Sequence, residues 1–92
     1  MPRIFKVGSY IVYFWSNENE PLEPVHVHIA KNTPQKNATK VWITKNGKTL
    51  ICNNSSRIPS KDLRDLIKMI EANSEEIIDK WYEYFGEIRF FC

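Results

Sequence analysis

Apolar and polar positions divide the chain into two regimes: a period of two in the first half and helical spacing in the second. Residues 3–7 predict a short strand, Gly8-Ser9 breaks it, and the run Tyr10-Ile11-Val12-Tyr13-Phe14-Trp15 predicts a second strand. That run is apolar throughout and rich in aromatic and β-branched residues, as a central strand is. Residues 16–24 form a polar loop with Asn17, Asn19, Pro21 and Pro24, whose acids Glu18, Glu20 and Glu23 lead into a third strand. There Val25, Val27 and Ile29 alternate with His26 and His28, so the apolar side chains enter the core and both imidazoles project from the opposite face.

Residues 31–37, with Pro34, predict another loop, and residues 39–45 and 48–52 flank Asn46-Gly47, a strong short hairpin signal. A two-residue turn would set Lys45 opposite Lys48, Ile43 opposite Leu50 and Val41 opposite Cys52. Trp42 and Lys40 then fall near the histidines on the side away from that apolar face. Ser60 is the predicted N-cap of a helix whose Leu63, Leu66, Ile67 and Ile70 share one stripe. Asn73 and Glu76 have capping-box spacing for a second helix with Ile77, Ile78, Trp81, Tyr82 and Phe85 on its apolar side. Gly86 stands where a left-handed C-terminal residue is expected, and residues 88–91 add a last strand or dock as a tail. Strands first and helices last predict an α+β fold of two layers: a mostly antiparallel sheet of four to five strands (residues 3–52) packed against a C-terminal helical pair (residues 60–85).

At 92 residues the chain is read as one domain, 1–92. Its 42% hydrophobic and 26% charged residues exclude wholesale disorder. Net charge is +2, but residues 31–61 carry Lys31, Lys36, Lys40, Lys45, Lys48, Arg57 and Lys61 with no acid, while residues 62–87 are predominantly acidic. Such a dipolar chain presents either two solvated faces or a basic surface that meets an acidic or nucleic-acid partner. Cys52 and Cys92 fit no ligand spacing, and with neither a leader nor a membrane segment expected, the chain reads as cytoplasmic with reduced thiols.

His26 and His28 are the only histidines in the chain. Three readings of the pair stay open. With Glu23 or Glu20 they could supply two nitrogens and an oxygen to a metal, although the spacing alone is weak and no cofactor is expected. Without metal, two imidazoles could perform general acid–base cleavage of RNA, with Lys40 or Lys31 meeting phosphate charge and Trp42 stacking a base. Or the pair is structural, bonding loop carbonyls or filling a homo-oligomer contact. Cys52 as a thiol partner is excluded by the predicted register, which puts it on the core face. There is no Gly-rich phosphate loop, Cys-x-x-Cys pair or nucleophile elbow.

In combination, Met1-Pro2-Arg3-Ile4, Tyr13-Phe14-Trp15-Ser16-Asn17-Glu18, Glu23-Pro24-Val25-His26-Val27-His28, Lys40-Val41-Trp42-Ile43 and Trp81-Tyr82-Glu83-Tyr84-Phe85-Gly86 resemble domain-of-unknown-function family 4160. The chain departs from the family's pattern in having Ile11 after Tyr10 and Pro24-Val25 before the first histidine. The resemblance implies a small bacterial protein, in some members the toxin half of a type II toxin–antitoxin module. It also implies a protein antitoxin as partner, carrying unknown-function domain 2442. The resemblance supplies no mechanism; joined with the acid–base reading of the residues, it gives the expectation of a toxin directed at RNA through the His-x-His face, with metal-independent ribonuclease activity as one open reading. The alternative is a non-enzymatic binding or regulatory module that uses the same face as its interface.

Overall fold

The computed structural model describes residues 3–15 and 23–92. Five strands, β1 (Arg3–Val7), β2 (Tyr10–Tyr13), β3 (His26–Lys31), β4 (Thr39–Ile43) and β5 (Thr49–Asn53), precede two helices, α1 (Ser60–Ala72) and α2 (Ser74–Phe85). The strands pair in sequence order, and every neighbouring pair is antiparallel. Both helices lie on one face of this meander, giving the α+β architecture expected from the sequence. No helix among the described residues is long and apolar enough to cross a membrane.

Local chemistry sets the turns. Val7 pairs with Tyr10 across Gly8-Ser9, and Gly8 takes φ +59°, the left-handed value a tight hairpin needs at its first central position. The helix-side core follows the alternation: Val12 and Phe14, then Val25, Val27 and Ile29, then Val41 and Ile43, all buried against Leu66, Ile70, Ile77 and Trp81. Trp81 is a core anchor as expected, with its ring 5.1 Å from Phe14 and 4.5 Å from Phe85. Tyr82, expected in the same stripe, is exposed. It sits next to Trp81 on a helix, where neighbours point about 100° apart.

The β4–β5 hairpin differs from the expected one. Gly47 N–H donates to Thr44 O at 3.0 Å and Thr44 N–H to Lys48 O at 2.9 Å, so the loop is Lys45-Asn46-Gly47, three residues rather than two. Only Gly47 takes a positive φ, +76°; Asn46 does not, so the two-residue turn with both central residues left-handed is not formed. The Thr44 hydroxyl accepts the Lys48 N–H at 3.1 Å and holds the wider loop. Ile43 therefore faces Thr49, Trp42 faces Leu50 and Val41 faces Ile51. This one-residue slip reverses residues 49–51 of β5, and a bulge restores the expected pairing at Asn53, opposite Lys40. Leu50 moves to the outer face, and Cys52 becomes the extra residue of a bulge, exposed and not in the core. The register-based ground for excluding it is thereby removed.

Two cap expectations also change. Pro59 holds the N-cap position of α1 with no side-chain bond, and Ser60 is already helical. Asn73 holds the N-cap position of α2 without a side-chain cap bond; its amide donates to Met69 O at 2.8 Å and so closes α1. Gly86 ends α2 as expected, at φ +76° with its N–H on Tyr82 O at 2.7 Å. Beyond it the chain docks as an irregular strap and forms no strand.

Candidate functional site: the outer face of the sheet

On β3 the pleat sends Val25, Val27 and Ile29 to the helices and His26, His28 and Ala30 to the opposite, outer face. Cross-strand register then assembles the site. Tyr13 faces His28, which faces Lys40; His26 faces Trp42, which faces Leu50. The imidazole centroids are 5.0 Å apart at 90°, and His26 lies 5.4 Å from Trp42. Tyr13 stands 5.6 Å from His28, and Trp15 is 5.3 Å from Tyr13 and 6.3 Å from His28. Lys40 Nζ sits 4.3 Å from the Trp42 ring centre and 2.6 Å from Glu23 Oε1. His26, His28, Lys40 and Trp42 are thus brought together as their alternation predicts.

The face is less open than a solvated histidine patch. His26 is fully buried, and its Nδ1 lies 2.8 Å from the Pro24 carbonyl. A carbonyl only accepts, so Nδ1 carries the proton, and in the neutral ring Nε2 is the acceptor nitrogen. The Trp81 indole, part of the helix-side core, also packs on this ring at 5.2 Å. Its Nε1–H is a buried donor with no acceptor among the described residues. His28 is half-buried, as is Trp42.

The other end of the outer face is roofed by the β3–β4 connection. Tyr13 donates to Gln35 O and accepts Gln35 N–H, each at 3.2 Å, above Ile11, Ala30 and Ala38. Burial pushes the Tyr13 phenol above 10.0, and the Gln35 backbone bond opposes that rise. Tyr13 therefore stands beside His28 as a neutral phenol at neutral pH.

Lys31 does not join the site. Five residues after His26 it has the opposite parity, and it lines a cleft at the far end with Tyr10, Arg57 and Asp62. In that cleft Tyr10 donates to Asp62 Oδ2 at 2.9 Å, and this bond, with burial and the carboxylate's charge, raises the Tyr10 pKa. Among the described residues no group of three His, Cys, Asp or Glu is placed to hold a metal. Glu23 comes near the site as the ion-pair partner of Lys40. Glu20 and the rest of residues 16–22 lie outside the described residues.

Sequence reasoning missed Tyr13 and Trp15 as members of this face. Their parity, shared with Ile11 and opposite to Val12 and Phe14, was the available signal, hidden by a run apolar on both sides. It also missed Phe91, which stacks on Trp42 with centroids 5.0 Å apart and planes at 4°.

The model of the family Domain of unknown function (DUF4160) matches residues 9–82. The chain belongs to that family. The DUF4160 segment contains His26, His28, Lys40 and Trp42, four of the five strands (β2 to β5), α1 and most of α2. Phe91 lies beyond it. No curated protein and no solved structure matches the chain.

Proposed function

We propose that this DUF4160 protein is the toxin component of a bacterial type II toxin–antitoxin module, neutralised by a protein antitoxin that carries unknown-function domain 2442. Its working surface is the outer sheet face, and its target is RNA. The observation that carries this reading is the adjacency of two imidazoles 5.0 Å apart with Lys40 and Trp42 across the next strand. One imidazole takes the proton of a ribose 2′-hydroxyl while that oxygen attacks phosphorus. The other protonates the departing 5′-oxygen, leaving a 2′,3′-cyclic phosphate and a 5′-hydroxyl. His28 is the group nearer the surface, and with Nδ1 of His26 on the Pro24 carbonyl, Nε2 is the nitrogen that would take a proton. Lys40 meets phosphate charge when it leaves Glu23, and Trp42 stacks a base. A cytoplasmic setting accords with two free, exposed thiols, Cys52 and Cys92.

The test is incubation of purified protein with end-labelled single-stranded RNA in excess chelator, beside His28→Ala. Cleavage to cyclic-phosphate ends by the wild type, at least about a hundredfold faster than by the variant, supports the reading. Intact RNA with both rejects the chemistry.

A second reading, a non-enzymatic module whose partner docks on this face, is favoured by the buried state of His26 and the Lys40–Glu23 pair at 2.6 Å. Loss of antitoxin binding in His28→Ala with Lys40→Ala would place the partner there; retained binding with lost RNA cleavage supports the first reading.

A further inference from the structure

After Gly86 turns the chain out of α2, residues 87–92 cross the end of the sheet from the helix side to the outer face. Ile88 and Phe90 pack partly buried against the helix-side core. Val25 N–H donates to Arg89 O at 2.8 Å and Lys45 N–H to the main-chain oxygen of Cys92 at 3.2 Å. Phe91 then lies flat on Trp42, with 57% of its own surface exposed. Among the described residues two main-chain bonds, the Phe91 stack and the partly buried side chains of Ile88 and Phe90 tie this strap down, and none of the bonds belongs to a strand ladder. So slight a hold opens far more readily than the sheet beneath it.

We propose that residues 87–92 are a displaceable cover: Phe91 occupies, on Trp42, the place a planar ring of a ligand would take, and the strap must lift before that ligand reaches Trp42 and His26. A parallel ring on an indole beside a lysine is the arrangement in which proteins stack an unpaired nucleobase. Here the chain supplies the ring itself. The choice of a nucleobase rests on the RNA reading above; the cover itself rests only on the geometry.

Phe91→Ala removes the stack and leaves the helices and sheet untouched. Amide exchange by NMR reads the strap directly through Val25 N–H and Lys45 N–H, with Thr44 N–H, bonded to Lys48 O within the hairpin, as the internal control. Affinity for an unstructured oligouridine is measured alongside. In Phe91→Ala the two strap amides should exchange about tenfold faster while Thr44 is unchanged, and oligouridine should bind more tightly than to the wild type. Faster strap exchange with no oligouridine binding by either protein supports the cover and rejects the RNA reading. Unchanged exchange at Val25 and Lys45, or faster exchange with equal oligouridine affinity in both proteins, overturns the cover. Phe91→Leu, which keeps bulk without a flat ring, should fall between the two in exchange; exchange as fast at Thr44 as at Val25 in either variant also overturns it, because the strap would then be part of the sheet's own stability.

Discussion

His26 and Trp42 face each other across β3 and β4 with ring centroids 5.4 Å apart and planes at 78°. This edge-to-face pair joins the buried half of the outer face to its accessible half. One ring packs on Trp81 beneath the sheet's end, and the other carries Lys40 and Phe91.

The two histidines should therefore separate in a stability experiment. His26→Ala empties a fully buried site and strands the Pro24 carbonyl, at a cost of about 2–4 kcal/mol. His28→Ala removes a half-buried ring and costs under about 1 kcal/mol. Urea unfolding of the two variants checks this; equal losses would contradict the burial assigned to His26. For function, His28→Ala is then the cleaner probe.

Tyr13 gives the fold an alkaline limit. Burial raises its pKa above 10.0, so the folded state favours the protonated phenol. Its contribution is complete below the unfolded value of 10.0 and is lost as pH rises through the higher folded value. Stability measured by urea titration should decline above pH 10, and Tyr13→Phe, which has no phenol to ionise, should decline less steeply. Parallel declines in the two proteins would remove Tyr13 as the cause.

The hairpin loop makes a third prediction. A Cβ at Gly47 would stand 2.9 Å from Ser74 Oγ, and φ +76° is itself strained for any residue with a side chain. Gly47→Ala should cost about 1–2 kcal/mol in chemical denaturation. Adding Ser74→Ala relieves the contact but not the backbone, so the double variant should recover only part of the loss. Full recovery would mean that the left-handed turn is not the constraint.

The strands, the helical pair and the shared face of His26, His28, Lys40 and Trp42 were legible because each depends on local period; the sequential order of the strands in the sheet was not predicted. Alternation around Val25, Val27 and Ile29 fixes which way the histidines point, whatever the neighbouring strands do. The β5 register was not legible, since it turned on whether Thr44 or Lys45 closes the loop. That choice is made by the Thr44 hydroxyl and the single left-handed residue Gly47. Lys31 went astray through its parity: an odd separation of five residues from His26 puts it on the helix side. The burial of His26 depends on Trp81 and on groups distant in sequence, and no window of β3 alone contains that information.

Growth arrest through His28 is what the proposed toxin reading requires of the outer face. It is tested most directly by inducing the protein alone in a bacterial host, at matched soluble expression, as wild type, as His28→Ala and as the far-end variant Lys31→Ala. Arrest by the wild type and by Lys31→Ala, with normal growth for His28→Ala, is the predicted result. Normal growth with all three, or arrest by His28→Ala equal to that of the wild type, would contradict it.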